Sequence, residues 1–415
     1  MIKEISASKF AGTLELPGSK SVAQRAIAAA TLAIGESEIF NPGKSKDVAS
    51  ALFLSRACGS KVTRGESIKI QGRGMFPVED LNAGESGLAS RMFLPLFALS
   101  DRTVNMYGEG SLLFRPFHVL DQVLPSLGVE CKSNNGKLPY KIKGPMHGGD
   151  IVMDGSTSSQ FATGLLMALP LCAEDSVLTL VNATSKPYLQ MTLDVLREFN
   201  VHIEHESLDR FFISGNQVYK PTQIHVPGDW SAAANLMVLG ALTSDDGIEF
   251  QNPGDIYKQS DDFVKDVVMS AGVNIKMDSQ KVRVFKSTIR AFECDLSNSP
   301  DLFPPLAVLA CFADGPCRLK GSQRLILKES NRAMTIIDEF AKAGIEVREE
   351  DDELIVYPSL PQNTIMDARN DHRIAMAAAI MGAASNGMRI RDAESVDKSF
   401  PDFFEKLEDL DLNNK

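Results

Sequence analysis

Basic side chains recur where turns lead into helix-like runs of this chain. The 415 residues carry a net charge of -11, so any anionic ligand must be held by a local cluster of cations. Helix starts also present N–H groups and a positive dipole end, which favour anions. The pattern therefore predicts sites for phosphate or carboxylate groups. The basic residues concerned are Lys20, Arg25, Arg91, Arg115, Lys328, Arg332, Arg373 and Lys398.

The stretch that begins at Leu16 is the clearest example. Pro17-Gly18 ends a short apolar run, and the alanine-rich segment after it predicts a helix from near Ser19. Ser21 and Arg25 would share one face of that helix, because they are four residues apart. Taken alone, the stretch could also be an ordinary solvated helix start.

Two carboxylates, Asp301 and Glu329, lie among these cations and suit proton transfer. A carboxylate among cations keeps a low pKa and can act as a base, whereas one with competing neighbours can hold a proton. Structural readings stay open for each candidate. Asp301 and Asp371 stand where helix N-caps are expected. The charges around Glu329 could form a solvated helix face, and His372 could be a buried imidazole.

Several classes of site find no support in the sequence. The six cysteines form no C-x-x-C pair, and no H-x-x-x-H or carboxylate cluster is present, so we expect no metal and no disulfide framework. No P-loop or dinucleotide fingerprint occurs, and we expect no cofactor. Scattered cysteines and the lack of a signal or membrane-spanning segment predict a cytoplasmic protein. The acidic charge argues against nucleic-acid or membrane partners, and we expect a monomer.

Six turns of similar composition position these residues, each followed by a helix-like run. Neighbouring turns are about 70 residues apart, and such a period indicates internal repeats. The repeats are longer than a single hairpin, so each must contain several elements. The turns are Pro17-Gly18-Ser19-Lys20-Ser21, Glu85 to Arg91, Asp154 to Gln160, Pro227 to Ser231, Ser299 to Leu302 and Asn370 to Arg373.

Strand-like and helix-like runs alternate between these turns. Apolar and polar residues alternate from Lys61 to Gln71, from Val201 to Ile213 and from Val282 to Phe285, which predicts strands. Amphipathic runs such as Ala333 to Ala343 end at a Gly or Asn that suits a helix C-terminus. Each repeat therefore reads as a βαββαβ unit, and six units suggest an α/β fold of two similar domains with three units each.

The boundary between the domains is predicted where the chain crosses near Leu14-Pro17 and returns near His225-Asp229. Domain one would comprise residues 1–16 and 228–415, and domain two residues 17–227. The length of the chain also favours two or more domains. Trp230 beside the second crossing is expected to be a packing or hinge residue.

Taken together in chain order, the motifs resemble those of the EPSP synthase family of enolpyruvyl transferases over nearly the whole sequence. The matching segments are Leu16 to Ser21 with Arg25, Arg115-Pro116, Asp154 to Phe161, Ser185-Lys186-Pro187-Tyr188, Lys328 to Arg332, Asn370 to Met376 and Lys398 to Phe404.

The resemblance implies two domains of three βαββαβ units, with the active site in the cleft between the domains. It implies transfer of the enolpyruvyl group of phosphoenolpyruvate to the 5-hydroxyl of shikimate 3-phosphate, through a tetrahedral intermediate that loses phosphate. This step belongs to the shikimate pathway of chorismate and aromatic amino acid biosynthesis. Both substrates are small molecules.

The resemblance also assigns roles to residues. Asp301 would be the base toward the hydroxyl, Glu329 and Lys20 would shuttle protons, and His372 would lie nearby. Shikimate 3-phosphate would contact Lys20, Ser21, Arg25, Ser158, Ser159, Gln160, Ser185, Asp301 and Lys328. Phosphoenolpyruvate would contact Lys20, Gly87, Arg115, Gln160, Arg332, Arg373 and Lys398.

One segment departs from the family pattern. Glu85 and Leu88 stand where an amide and a hydroxyl are usual, and the added carboxylate should weaken anion binding unless a cation such as Arg91 pairs with it. Alternatively, Asn82-Ala83-Gly84 is the aligned triplet, which would leave the position of Gly87 uncertain.

Two other functions remain as alternatives. The related enolpyruvyl transfer to UDP-N-acetylglucosamine is disfavoured by Ser185 to Tyr188, by Lys328 to Ser330 and by the lack of a candidate cysteine loop. A ligand-binding protein without catalysis is suggested by Glu85 but disfavoured by the presence of Asp301, Glu329 and Lys20.

Overall fold

The computed structural model describes residues 1–251, 253–254, 256–278 and 280–414. The chain forms two compact units. We name Met1–Pro17 with Gly228–Lys415 the terminal unit, and Gly18–Pro227 the central unit. The first boundary follows residue 17, whereas the sequence placed it after residue 16.

Strands and helices are numbered in chain order through both units. The strands are β1 Ile2–Ile5, β2 Gly12–Glu15, β3 Gly35–Phe40, β4 Lys61–Arg64, β5 Ser67–Gly72, β6 Asp80–Asn82, β7 Thr103–Tyr107, β8 Glu130–Ser133, β9 Tyr140–Lys143, β10 Asp150–Asp154, β11 Ser176–Val181, β12 Glu204–Glu206, β13 Arg210–Ile213, β14 Gln223–His225, β15 Ile248–Gln251, β16 Asn274–Met277, β17 Lys281–Phe285, β18 Glu293–Asp295, β19 Cys317–Lys320, β20 Glu346–Glu350, β21 Glu353–Tyr357, β22 Ile365–Asp367 and β23 Met388–Arg391. The helices are α1 Lys20–Leu32, α2 Lys46–Ala57, α3 Gly87–Phe97, α4 His118–Ser126, α5 Ser159–Ala168, α6 Lys186–Glu198, α7 Trp230–Thr243, α8 Val264–Ser270, α9 Phe303–Cys311, α10 Arg332–Lys342, α11 His372–Ala384 and α12 Phe403–Leu410.

Each unit contains three small sheets among the described residues, and each sheet corresponds to one repeat. The strand orders in the central unit are β14-β3-β5-β4, β6-β7-β9-β8 and β10-β11-β13-β12. Those in the terminal unit are β16-β17-β15-β2, β18-β19-β21-β20 and β1-β23-β22. The predicted α/β fold with three repeats in each of two domains is confirmed.

The order of elements within a repeat differs from the predicted βαββαβ unit. One repeat of the central unit runs β10, α5, β11, α6, β12 and β13, which is βαβαββ. β10 is parallel to β11, and β13 lies between β11 and β12 and is antiparallel to both. Strands that run in the same direction need a crossover, usually a helix, whereas an antiparallel pair needs only a short turn. Both helices therefore precede the hairpin.

This order was not predicted from the sequence because two of the predicted strands are in fact hairpins. Lys61 to Gln71 covers β4 and most of β5, and Val201 to Ile213 contains β12 and β13. In the first hairpin Val62 pairs with Ile70, and the short turn at Gly65 leaves the alternation of apolar and polar residues unbroken. A continuous period of two was therefore read as one strand.

The two chain crossings exchange the leading strands of two repeats. β2 precedes α1 in the chain but is parallel to β15 in the terminal unit. β14 precedes α7 but is parallel to β3 in the central unit. Backbone bonds hold both crossings: the N–H of Asp229 donates to Pro17 at 2.9 Å, and that of Ser19 donates to Pro227 at 2.7 Å.

The first helix of each repeat lies in the core of its unit. α3 packs on α1 and α5 in the central unit, and α7, α9 and α11 pack on one another in the terminal unit. Every residue of α11 from His372 to Ala383 is buried, as expected for a helix with apolar residues on all sides. All six predicted turns lead into these helices. Trp230, which is 2% exposed at the start of α7, packs as expected, with Lys265 over its ring at 4.5 Å.

Three further observations concern the described residues only. No helix there is long and apolar enough to cross a bilayer. No group of three or more His, Cys, Asp and Glu side chains is placed to hold a metal ion. All six cysteines are thiols, and four of them are buried.

A close backbone approach after the first crossing requires glycine at position 18. A Cβ there would lie 1.9 Å from the carbonyl oxygen of Asn41. Because that atom is backbone, Gly18→Ala must displace the segment after β3, and we expect a loss of about 1–3 kcal/mol in the free energy of unfolding. Urea denaturation measures the change. Gly65→Ala is the control, since its Cβ would meet only Ser67 O, at 3.9 Å; equal losses would contradict the prediction.

Candidate active site

Side-chain hydrogen bonds tie together the starts of the three buried helices of the central unit. Ser86 Oγ, before α3, donates to Gln24 Oε1 of α1 at 3.0 Å. Arg91 Nη1 of α3 donates to Gln160 Oε1 of α5 at 2.9 Å. Arg25 Nη2 of α1 reaches Thr163 Oγ1 of α5 at 3.3 Å. The central-unit candidates therefore form one cluster rather than three separate sites.

The start of α1 combines a positive charge with a helix N-terminus. Lys20 Nζ is paired with Asp47 Oδ2 of α2 at 2.9 Å, and both side chains are 15% exposed. Ser158 caps α5 by accepting from Gln160 N, and Ser86 caps α3 by accepting from Ala89 N. Ser19 makes no such side-chain bond to the described residues of α1. The first turn of α1 is thus a suitable place for an anion.

Arg25 is buried and is held mainly by neutral oxygens. Its Nε donates to Thr192 Oγ1 at 2.8 Å and its Nη1 to the carbonyl of Ser21 at 2.8 Å. Burial lowers the pKa of Arg25 to about 10, which still leaves the guanidinium charged at neutral pH. The predicted face shared by Ser21 and Arg25 exists, and the backbone carbonyl of Ser21 makes the contact.

Arg91 fixes the orientation of Gln160. Its guanidinium lies over the rings of Phe161 and Phe117, at 4.8 and 5.1 Å from their centroids. Because Arg91 donates to the amide oxygen of Gln160, that side chain keeps its two N–H donors for other partners. From the sequence, Arg91 was expected only to act as a cation at a helix start that could offset the charge of Glu85.

Gly87 opens α3 and lies against the guanidinium of Arg115. A Cβ on Gly87 would be 2.5 Å from Arg115 Nη1 and 3.0 Å from its Cζ. Glu85 turns to the following 3₁₀ segment, where its Oε2 accepts from the backbone N–H of Ser111 at 3.3 Å. The alternative triplet residue, Gly84, precedes the helix and has a φ of +59°.

The serines assigned to shikimate 3-phosphate lie on two adjoining turns. Ser158 and Ser159 are at the start of α5, and Ser185 precedes α6 with a φ of +55°. Thr184 Oγ1 contacts the carbonyls of Gly155 and Ser156 at 3.1 and 3.2 Å, which joins the turns. The structure therefore joins the two turns that carry these hydroxyls.

In the terminal unit, Asp301 is surrounded by cations. It lies in the 3₁₀ turn Pro300–Leu302 before α9, and its side chain is 22% exposed. Arg332 Nη1 donates to Oδ1 at 2.8 Å, and Arg373 Nη2 donates to Oδ2 at 2.7 Å. Lys328 Nζ lies 3.9 Å from Oδ1.

Arg332 is fully buried and contacts two further carboxylates. Its Nε and Nη2 donate to the two oxygens of Asp371 at 2.9 and 3.2 Å, and Nη2 also donates to Glu329 at 2.9 Å. Asp371 has no exposed side-chain surface and also caps α11 through Arg373 N. Lys328 and Glu329 lie in the turn before α10, so the solvated helix face considered from the sequence is wrong.

Burial and neighbouring charges oppose each other in setting the pKa values of Asp301 and Lys328. The charges prevail at Asp301, and burial prevails at Lys328. Burial alone would raise the pKa of Asp301, but Arg373, Lys328 and Arg332 outweigh it and hold the pKa well below its ordinary value. Burial lowers the pKa of Lys328 to about 8, although the charge of Asp301 opposes the shift. In this state Asp301 is an ionised carboxylate with strongly engaged oxygens, and Lys328 can lose its proton near neutral pH.

The two remaining candidates flank this cluster. His372 is 2% exposed in the first turn of α11, which agrees with the buried imidazole considered from the sequence. Lys398 is 6% exposed at the end of the 3₁₀ segment Ala393–Lys398, and its Nζ donates to the carbonyl of Asn370 at 2.9 Å. That carbonyl directly precedes Asp371.

The contacts of three acidic residues at these sites were not predicted from the sequence. Asp47 has only the local signature of an acidic first turn of a helix. Asp371 is the expected N-cap, but its pairing with Arg332 joins positions 39 residues apart. Asp261 is buried near Asp301 and Arg373. No local pattern could have revealed these contacts.

The pair of Arg332 and Asp371 provides a stability prediction. Asp371→Asn leaves the buried Nε of Arg332 without a charged partner, while Nη1 and Nη2 keep Asp301 and Glu329, and we expect a loss of about 1–3 kcal/mol in the free energy of unfolding. Asp338→Asn is the matched control, since Asp338 pairs with Arg369 at the surface, where such pairs contribute about 0–1 kcal/mol. Chemical denaturation of both variants measures the difference; similar small losses would contradict the argument.

Comparison with known proteins places this arrangement in a family. The sequence matches the family model of EPSP synthase (3-phosphoshikimate 1-carboxyvinyltransferase) over residues 6–407. The 3-phosphoshikimate 1-carboxyvinyltransferase of Methanocorpusculum labreanum is 34% identical over 414 residues, which cover 98% of this chain and 97% of the relative. That of Clostridium kluyveri is 35% identical over 413 residues, with coverage of 98% and 96%.

Solved structures share the fold. EPSP synthase from Acinetobacter baumannii superposes with a TM-score of 0.83 at 23% identity, covering 99% of this chain and 98% of that one. The enolpyruvyl transferase NikO from Streptomyces tendae gives a TM-score of 0.78 at 17% identity, with coverage of 99% and 97%. The family match over nearly the whole chain, together with the full-length relatives, shows that this chain belongs to the EPSP synthase (3-phosphoshikimate 1-carboxyvinyltransferase) family.

Proposed function

We propose that the chain transfers the enolpyruvyl group of phosphoenolpyruvate to the 5-hydroxyl of shikimate 3-phosphate and releases inorganic phosphate. The observation that carries the proposal, beside family membership, is the carboxylate of Asp301 between Arg332, Arg373 and Lys328. A base among anion-binding cations is what this reaction needs, because both substrates are anions and one hydroxyl must lose a proton.

Phosphoenolpyruvate has two anionic groups, and the proposal gives it cations from both units. The central unit would supply Lys20 and Arg115, with Gly87 and Gln160 beside them. The guanidinium against Gly87 supports this assignment, since the opening of α3 then presents its N–H groups next to a fixed cation. The terminal unit would supply Arg332, Arg373 and Lys398.

Shikimate 3-phosphate would be held by serine hydroxyl groups and by charged side chains. Ser158, Ser159 and Ser185 lie on joined turns and suit the phosphate and ring hydroxyls. In addition, the proposal uses the contacts expected from the sequence at Lys20, Ser21, Arg25, Gln160, Asp301 and Lys328.

The proposed chemistry has two steps. First, Asp301 takes the proton of the 5-hydroxyl, whose oxygen bonds to the enol carbon, while Glu329 or Lys20 protonates the methylene carbon. Second, the group that protonated the methylene carbon takes a proton back from the new methyl group, the C=C bond forms again, and the C–O bond to phosphate breaks so that inorganic phosphate leaves. His372 lies beside Arg373 at the start of α11 and would help to position it.

The state of Asp301 fits a base that is activated by its co-substrate. Here Arg332 and Arg373 hold its pKa well below the ordinary value. When the anionic groups of phosphoenolpyruvate engage these guanidiniums, their hold on Asp301 weakens, and its pKa rises toward the ordinary range. A carboxylate of higher pKa is a stronger base toward the hydroxyl.

We also propose that the protein acts in the cytoplasm as a monomer. The six free thiols support a reducing compartment. Sedimentation of the purified chain measures the oligomeric state.

Phosphate release tests the function directly. We expect release from phosphoenolpyruvate with shikimate 3-phosphate and none with UDP-N-acetylglucosamine. Asp301→Asn should lower kcat by about 10²–10⁴-fold while calorimetry shows retained binding of shikimate 3-phosphate, because the shape is kept and the base is lost. Asp338→Asn is the surface control. Release with the UDP-sugar alone would favour the alternative transferase, and no release with either acceptor would favour a binding protein.

Gly87→Ala tests the placement of Arg115. The new Cβ would meet Arg115 Nη1 at 2.5 Å and must push the guanidinium aside. We expect the KM for phosphoenolpyruvate to rise by about 10–100-fold, with the KM for shikimate 3-phosphate little changed. Gly315→Ala is the matched control, since its Cβ meets only Ala291 Cβ, at 3.4 Å. An unchanged KM for phosphoenolpyruvate in Gly87→Ala would remove Arg115 from the proposed contacts.

A further inference from the structure

Asp261 is a buried carboxyl group that the proposed reaction does not use. It lies in the 3₁₀ turn Ser260–Phe263 and is 2% exposed. Its Oδ2 accepts a short hydrogen bond from Ser231 Oγ in the first turn of α7. Its Oδ1 is buried and has no hydrogen-bond partner among the residues that the structure describes. Such an oxygen in a folded protein requires an explanation.

Arg373 is the cation whose charge acts on this carboxyl group. This guanidinium donates from Nη2 to Asp301 at 2.7 Å, while its buried Nε has no partner within the described parts of the chain. Arg373 and Asp261 influence each other's charge, although no hydrogen bond joins them: the Oδ1 of Asp261 and the Nε of Arg373 are both buried without partners among the described residues.

The other charges around Asp261 come from three elements. Asp301 precedes α9, and Asp229 caps α7 by accepting from Ser231 N and Ala232 N at 2.8 and 3.1 Å. On the turn itself, Asp262 pairs with Lys258 at 2.9 Å. Arg373 is thus the cation that acts on Asp261 from α11, against negative charges from α7 and from the turn before α9.

Two buried carboxylates that repel each other cannot both ionise at low cost. Burial, and next the charge of Asp301, raise the pKa of Asp261 to about 7, whereas Asp301 is held well below its ordinary value. Of the two groups, Asp261 is therefore the one that keeps a proton, and it loses that proton near neutral pH.

We propose that Asp261 is a positioning residue whose protonation sets how much positive charge Arg373 can offer to phosphoenolpyruvate. The inference rests on the proposed function, which assigns Arg373 to that substrate. While Asp261 is neutral, Arg373 has a single carboxylate partner, Asp301, and the incoming anion competes with it alone. When Asp261 ionises, a second carboxylate lies beside the guanidinium, offsets its charge and draws it toward the turn of Asp261.

The sign of the pH dependence follows. Below the pKa of Asp261, phosphoenolpyruvate binds tightly, and above it the KM for phosphoenolpyruvate rises. Ser231 sets the position of the transition, because its hydroxyl donates to Asp261 and lowers the pKa by stabilising the ionised form. Removing that hydroxyl should therefore move the rise to higher pH.

The test measures the KM for phosphoenolpyruvate at pH about 6 and about 9 and takes the ratio of the two values. We expect the ratio for the unsubstituted protein to be about ten times the ratio for Asp261→Asn, since the amide mimics the neutral acid at both pH values. Ser231→Ala should shift the midpoint upward. Asp262→Asn, in the same turn, is the matched control and should keep the ratio of the unsubstituted protein.

Comparing the KM ratios of the variants separates the titration of Asp261 from the other titrations. Phosphoenolpyruvate and Lys328 titrate in every variant, so their effects cancel when ratios are compared. A merely structural role for Asp261 would raise the KM at both pH values and leave the ratio unchanged, which would overturn the inference. If Asp261→Asn does not fold, an unshifted midpoint in Ser231→Ala overturns it.

Failure of the proposed function has a different signature. In that case the unsubstituted protein would release no phosphate at any pH. Calorimetric titration with phosphoenolpyruvate at the two pH values then gives the same ratio from dissociation constants. A ratio that is about tenfold lower in Asp261→Asn than in the unsubstituted protein supports the inference, and an unaltered ratio overturns it.

Discussion

The starts of buried helices impose the constraint on which both candidate clusters depend. A buried helix leaves its first N–H groups without intrahelical partners, and each must be satisfied in the protein or by a ligand. Every repeat places one such helix directly after its leading strand, and the three helices of a unit lie together. Ser86, Ser158, Asp229 and Asp371 cap four of the six, while α1 and α9 lack a side-chain cap among the described residues. Positive potential is thus concentrated at defined points of a chain whose net charge is -11.

The two units satisfy their buried arginines differently, and the difference matches the proposed chemistry. In the central unit, Arg25 donates to hydroxyl and carbonyl oxygens, and Arg91 donates to an amide and a carbonyl and lies over two aromatic rings. These neutral partners hold the guanidiniums in place while leaving their charge for ligands. In the terminal unit, Arg332 is paired with three carboxylates. Burying such ions is costly unless they are well bonded, so each ion of this cluster depends on the others, and the cluster brings together the groups that can move protons.

Local patterns in the sequence predicted the helix starts and the repeats, because glycine, proline and cap residues act within a few positions. They could not give the order of elements in a repeat, since the turn at Gly65 preserves the alternation from β4 into β5. The candidate cations were recognisable from their spacing and from the family motifs. Their acidic partners were not, because the contacts of Lys20 with Asp47 and of Arg332 with Asp371 depend on how distant segments pack. An aspartate at a helix start has the same local signature whether it only caps the helix or also holds a buried arginine.

Asp301 acts as an internal anion in the terminal unit. It engages the donors of Arg332 and Arg373 that the proposed reaction assigns to phosphoenolpyruvate. A monoanionic ligand would exchange one carboxylate for another and gain little, whereas a ligand with both a phosphate and a carboxylate brings more charge to the same cations. The competition therefore selects against weaker anions. In the proposed reaction this competition would also link the two substrates, because phosphoenolpyruvate would draw away cations that depress the pKa of Asp301. The hydroxyl would then meet an effective base only when the group to be transferred is in place.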